Sequence, residues 1–335
     1  MTDVQIYKMS GAGNDFVVLD GRGGDMDGFR RPERIAELCR EYRTDGLMIL
    51  DDAVPADGCA PDFRMEFYNP DGRGGMMCGN GGRCTVAFAD WLGVKPSAPD
   101  HYVFLAPDGL HSATIVARPA GGRMTVPGGT PLPSVAPAPP NVSCVVSDHL
   151  SPSGPIPKGW NRGPRKTPVF WGGMSGGGHA RQGLSPAGTD FWTVRLGMID
   201  VDGVREMLGG YFLNTGTRHF VKFVEDVDAV DIEKEGKELR WNEAFAPEGT
   251  NVNFVQRCDA YLKIRTFEKG VEGETLACGT GITASAIVAY SGPQKSASIR
   301  LQARRGDWLE VDFEQVGPES FRNIHLTGPA EFCKI

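Results

Sequence analysis

Hydrophobic and polar positions alternate through VQIYKMSGAGNDFVVLD, residues 4–20, with a glycine-rich break in the middle. A period of two on either side of such a break predicts two short strands joined by a turn. The period changes in RPERIAELCREY, where Ile35, Ala36, Leu38 and Cys39 fall at helical spacing. The continuous apolar run in DGLMILDD that follows predicts a buried strand. DFRMEFY predicts another strand, stopped by the turn Asn69-Pro70-Asp71-Gly72. CGNGGRCTVAFADWLG then predicts a helix from about Gly82 to Leu92, ended by Gly93.

The second part of the chain repeats this order. FLNTGTRHFVKFV is strand, glycine turn, strand; GTNVNFVQ and YLKIRTFEKG are strands; CGTGITASAIVAYSGP is a helix stopped by Gly292-Pro293. SIRLQARRGDWLEVDFE and NIHLTGPAEFCKI finish as antiparallel strands. Each half therefore runs strands, turn, cysteine and one mostly apolar helix. A helix apolar nearly all round belongs in an interior, here inside its own curved sheet. The expected class is α+β: an internal duplication of two pseudo-symmetric halves, each a mixed β-sheet or barrel wrapped around a central α-helix. The expected boundaries are 1–118 for the first half, completed by a C-terminal strand at 322–335, and 190–321 for the second. Residues 119–189 are crowded with proline and glycine and have neither period, which predicts an insertion or mobile loop between the halves.

Composition narrows the function. A length of 335 residues suits two domains, and 40% hydrophobic with 23% charged residues describes an ordinary soluble protein. A net charge of −7 argues against nucleic acid as a partner and leaves a small molecule as the expected one. The start of the chain has no apolar run of signal-peptide length, and no segment approaches the roughly 20 apolar residues of a membrane span. The eight cysteines lack the dense spacing of a disulfide scaffold and read as reduced thiols in the cytoplasm.

Two of those cysteines, Cys78 and Cys278, stand directly before a glycine-rich helix start. The first N–H groups of a helix lack intrahelical partners and carry about half a positive charge, so a thiol there is expected to have its pKa pulled below the free value. Glycines around Asn80 and Thr280 let backbone N–H groups turn towards a carboxylate. Two such sites facing across a cleft would hold one carboxylate, with a sulfur on each face of the adjacent carbon. Inverting an amino-acid α-carbon needs that arrangement: a base on one face and an acid on the other. The pair should share one proton and titrate as a unit. The chemistry calls for no metal and no cofactor.

The blocks SGAGNDFVVLD, YNPDG…MMCGNGGRC, NTGTRHFV, PEGTNVNF and FEKGVEGETLACGTG together resemble the diaminopimelate epimerases, the pyridoxal-independent enzymes of lysine and cell-wall synthesis. The resemblance covers residues 1–118 and 190–335. It implies an amino-acid substrate, a homodimer, and Cys78 and Cys278 as the proton-transfer residues. It puts His219 and Glu268 where the cysteines are tuned, and Asn14, Asn69, Gly79, Asn80, Asn251, Gly279 and Thr280 where substrate is contacted.

Four positions depart from the family pattern. Gly46 stands where glutamine is common, Thr217 and Arg218 replace an asparagine and a proline, and Lys269 follows Glu268 in place of arginine. Thr217, Arg218 and Lys269 are accordingly taken with Glu268 as substrate-binding positions, and Arg218 is expected to supply the guanidinium that position 269 lacks. Two other readings compete: a racemase of the same fold acting on another amino acid such as histidine, and a dithiol redox switch. The G-x-G-x-x-A in CGTGITA fails as a nucleotide motif, because no Asp or Glu occurs from Ile282 to Gly306 to hold a ribose.

Overall fold

A computed structural model describes residues 4–54, 60–75, 77–120, 190–290 and 296–334. The expectation for 119–189 lies outside the described residues from residue 121 onward, as does the Gly292-Pro293 helix stop. Strands β1 (Ile6–Gly11) and β2 (Asn14–Asp20) form the first hairpin, and α1 (Pro32–Tyr42) crosses to β3 (Gly46–Asp51). β4 (Phe63–Tyr68) leads through α2 (Gly79–Leu92) to β5 (His101–Ala106), β6 (Gly109–Ala117) and β7 (Trp192–Gly197). Going round, β2 and β3 pair in parallel, as do β4 and β5, and the other neighbours are antiparallel. The last strand of the chain pairs with both β7 and β1, so the ring closes.

The second half repeats the plan. β8 (Val201–Asp202) and β9 (Arg205–Met207) precede β10 (Gly210–Asn214) and β11 (Arg218–Val224). A π-helical turn at Ile232–Gly236, α3 (Lys237–Arg240) and a 3₁₀ turn at Glu243–Phe245 lead to β12 (Asn251–Arg257) and β13 (Leu262–Glu268). After β14 (Gly273–Thr275) come α4 (Gly279–Ala289), β15 (Ser296–Gln302), β16 (Trp308–Gly317) and β17 (Ser320–Phe332). From β10 the pairings again run antiparallel, parallel to β12, antiparallel, parallel to β15, then antiparallel through β16 and β17 to β8. The same order of strand directions in two stretches of chain is what a duplication leaves behind.

Alternation explains the layers. In β2, Phe16 and Val18 face a core around α2, whereas Val17 and Leu19 face a second core under α1. In the second half, Val221 and Val255 face α4, while Phe220, Val252 and Phe254 face the 232–245 turns with Ile232 and Phe245. These strands are buried on both faces, which is why they read as apolar runs. α2 touches β1, β2, β3, β4, β6, β7 and β17, and α4 touches β10, β11, β12, β13, β15, β16 and β17. Each inner helix is thus enclosed by its own ring. None of the helices among the described residues is long and apolar enough to cross a membrane.

Three details differ from expectation. β7 follows residue 190, yet Trp192, Val194 and Leu196 join the core of the first half, because the strand pairs with β6. α4 ends at Ala289 with Tyr290 already extended, ahead of the expected stop. α2 begins at Gly79, three residues earlier than its composition suggested. Glycine is a poor helix former, but enclosure within the ring outweighs a local deficit of about 1 kcal/mol per glycine.

Phe88 is fully buried on α2, stacked near Trp91 and tilted against Tyr7. Phe88→Ala is expected to cost roughly 3–5 kcal/mol. Val316→Ala, at a residue 59% exposed, should stay within about 0.5 kcal/mol of the parent. Urea unfolding of both variants measures the contrast, and equal losses would contradict the enclosed position of α2.

Candidate active site

Cys78 and Cys278 are the N-caps of α2 and α4, each in extended backbone conformation. The first intrahelical bonds follow at once, Gly82 N–H to Cys78 O at 2.7 Å and Ile282 N–H to Cys278 O at 2.8 Å. The two helices start against each other. A Cβ on Gly279 would sit 3.5 Å from Gly79 Cα, an ordinary contact, and 3.1 Å from Leu326 Cδ2, a tight one, so the two starts lie within van der Waals reach. Asn80 spans the junction, its Nδ2 donating to Ala277 O at 3.0 Å, directly before Cys278, and also to Asn14 Oδ1. Asn14 in turn donates to Asp45 at 3.2 Å.

The second half supplies a chain of polar groups behind Cys278. Its sulfur lies 3.4 Å from Thr280 Oγ1, which is 2.9 Å from His219 Nε2. Thr217 Oγ1 lies 2.9 Å from the same nitrogen and 3.1 Å from Thr280 Oγ1. On the far side of the ring, Asn253 Nδ2 donates to His219 Nδ1 at 3.0 Å, and Thr266 Oγ1 fixes that amide by donating to Asn253 Oδ1 at 3.0 Å. His219 Nδ1 is therefore an acceptor, which leaves Nε2–H as the donor towards the two threonines. His219 acts on the cysteine through Thr280 and does not touch it.

The expectation of lowered thiol pKa values is overturned. Burial is the largest influence on both cysteines and raises both. The Glu268 carboxylate reaches both sulfurs and pushes them up further. Backbone N–H groups of Gly81 and Asn80 pull Cys78 down and that of Gly281 pulls Cys278 down, as helix starts should, but they are outweighed. Glu268 is itself raised by burial, with a counteracting hydrogen bond from Thr275 Oγ1 at 2.8 Å. The cluster at rest favours protonated thiols.

The other expected residues divide. Gly79, Asn80, Gly279, Thr280, Thr217, His219 and Asn14 gather at the helix starts through the contacts above. Asn251 lies beside them but is fully engaged, donating to Thr217 Oγ1 and Arg218 O and accepting from Lys269 N–H at 2.8 Å. Asn69 is exposed at its turn, and its side-chain amide has no hydrogen bond among the described residues. Lys269 is exposed. Arg218 is ion-paired with Glu248 and lies 5.2 Å over the Phe212 ring, so a second carboxylate would have to compete with Glu248 for it. Gly46 has a steric reason: a Cβ there would be 2.8 Å from Tyr68 O and 3.1 Å from the Phe67 ring. Arg83, Asn253, Thr266 and Thr275 were missed. Of these, Arg83 was visible as the one charge among small and apolar residues at the start of α2.

Comparison with known proteins adds an independent line. A family model for diaminopimelate epimerase matches residues 211–333. The sequence is 32% identical to the diaminopimelate epimerase of Chlorobaculum tepidum, over 96% of both chains. It is also 32% identical to that of Aquifex aeolicus, covering 97% of this chain and 94% of the relative.

The chain belongs to the diaminopimelate epimerase family.

Among solved structures, a Bacillus anthracis phenazine biosynthesis protein of the PhzF family is similar in fold, with TM-score 0.60, 11% identity, and coverage of 99% of this chain and 96% of that one. A probable proline racemase from Agrobacterium radiobacter has TM-score 0.54 at 14% identity, covering 99% of this chain and 92% of that one. The fold of this diaminopimelate epimerase family member is thus shared by proteins with little sequence in common.

Burial lowers the His219 pKa from 6.5 to about 3. The folded protein keeps the ring neutral, whereas the unfolded chain protonates it below about pH 6.5. Its contribution to stability is present above that pH and declines as pH falls towards 3. His219→Gln should flatten the loss of stability across that window, read as the urea midpoint at a series of pH values. An unchanged slope would contradict a buried neutral ring.

Proposed function

We propose that this chain interconverts LL- and meso-diaminopimelate in the cytoplasm, with Cys78 and Cys278 as the two acid–base groups. The observation that carries the reading is the meeting of two cysteine-capped helix starts at Gly79 and Gly279. The names of its relatives support the substrate. The free state of all the described cysteines agrees with a reducing compartment.

The geometry supports the following reaction. The α-carboxylate of the substrate docks on the unpaired N–H groups of α2 and α4, where two positive helix ends converge. One cysteine, as thiolate, takes the α-proton; the other, as thiol, delivers a proton to the opposite face. Charge released at the α-carbon flows into the carboxylate, where preorganised N–H donors receive it. Glu268 acts electrostatically on both sulfurs and is the natural partner of a substrate ammonium group. Once paired, its repulsion of a thiolate is cancelled, so the base forms when substrate is present. Thr280, backed by neutral His219, donates to Cys278 and stabilises whichever thiolate state that residue carries. Among the described residues the first half has no threonine–histidine line behind Cys78, only Asn80, Asn14 and Asp45, so the two sulfurs have different surroundings.

In heavy water, diaminopimelate should gain deuterium at its α-carbon as the two stereoisomers interconvert. Cys78→Ala and Cys278→Ala should each lower kcat/KM by about 10³-fold. A panel of other amino acids, histidine and proline included, runs alongside. Interconversion that survives removal of both sulfurs would end this reading, and exchange into a different amino acid alone would replace its substrate.

A further inference from the structure

Arg83 is the largest fully buried side chain of the described residues, with none of its surface exposed. An isolated buried guanidinium is expensive, and the usual remedy is a carboxylate partner. Among the described residues none lies within ion-pair distance. Its donors go instead to neutral oxygens of the site: Nη2 to Asn80 Oδ1 at 2.8 Å, Nη1 to Gly79 O at 3.3 Å and Nε to Pro329 O at 3.4 Å. Room for it is made on β17, where a Cβ at Gly328 would come within 3.1 Å of Nε.

These contacts lead straight to the helix junction. Asn80 receives the guanidinium on its oxygen and uses its nitrogen to hold Ala277 and Asn14, so Arg83 fixes the orientation of the amide that ties the two halves together. The charge has few competitors. The ionisable groups that reach Cys78 are Arg83 and Cys84 on α2, Glu268 on β13 and, across the junction, Cys278 at the start of α4. Those that reach Arg83 are Cys78, Cys84 and Asp307, in the turn before β16. Arg83 is the cation of this set, with Asp307 too far for an ion pair, and a buried cation favours a nearby anion in a low-dielectric site.

We infer that Arg83 is a positioning residue of the acid–base site: it orients Asn80 across the junction and supplies the fixed positive charge that favours a Cys78 thiolate. The inference rests on the reading of Cys78 as an acid–base group. Arg83 touches neither the substrate nor the transferred proton.

The main readout needs no substrate. The rate of iodoacetamide alkylation at Cys78, mapped by mass spectrometry across a pH series, reports its thiolate fraction. Arg83→Met should move that profile to higher pH and slow alkylation at neutral pH by about threefold, the effect of half a pKa unit. Arg83→Lys, which keeps the charge without the fork, should hold the parent profile while lowering kcat. If Arg83→Met does not fold, as judged by circular dichroism, Arg83→Gln carries the same comparison, since it bonds Asn80 without a charge. A folded, uncharged variant with the parent alkylation profile would overturn the inference. A parent that exchanges no α-proton, with a profile that still moves on substitution, would leave this inference standing and remove the proposed function instead.

Discussion

Two helices meet here with their positive ends together, and everything in the site follows from that contact. Like poles repel, so such a meeting is unfavourable unless something forces it or an anion relieves it. Here it is forced. α2 sits in a closed ring of strands and α4 in a second set of strands around it, and β17 belongs to both, pairing with β7 and β1 in the first and with β16 and β8 in the second. Glycine at 279 avoids a tight contact with Leu326 and leaves the two starts within van der Waals reach. In the proposed function, the positive field that results receives the substrate carboxylate.

That field competes with burial for control of the sulfurs. Desolvation and Glu268 favour the thiols; the helix starts and Arg83 favour the thiolate. A pair poised in this way changes state when one charge in the balance is cancelled, and a substrate with a carboxylate and an ammonium group brings both signs. Duplication supplied the two-fold geometry, and divergence broke its symmetry. The turn residue Asn14 meets Asn80 in the first half, while its counterpart Thr217 meets Thr280 in the second, where His219 and Asn253 extend the line. In the proposed reaction, the two faces of one carbon therefore meet different surroundings.

Much of this was legible in the sequence. Period-two stretches located β1, β2, β4 and β11, and the repeated order of strands, cysteine and apolar helix announced the duplication. Electrostatics was less legible. The lowered pKa expected of a helix-capping thiol is a local effect, whereas burial is set by the whole ring and reverses the sign. The early start of α2 was hidden for the same reason, since glycine-rich CGNGG is helical only inside its barrel. The partner of Arg218 was not legible: Glu248 lies thirty positions along the chain, and no pattern in the sequence reveals its proximity. The Thr280–His219–Asn253 line likewise joins residues from α4, β11 and β12 that only the closed ring brings together.

The central claim is that two sulfurs share a single space between the halves. Limited carboxymethylation of the native protein with iodoacetate tests it most directly, because the reagent carries a carboxylate to the helix starts and is small enough for one copy only. Fragmentation mass spectrometry of intact chains then counts adducts. The account predicts chains modified at Cys78 or at Cys278 but not at both. Native chains bearing both adducts would contradict it, since each sulfur would then open onto a space of its own.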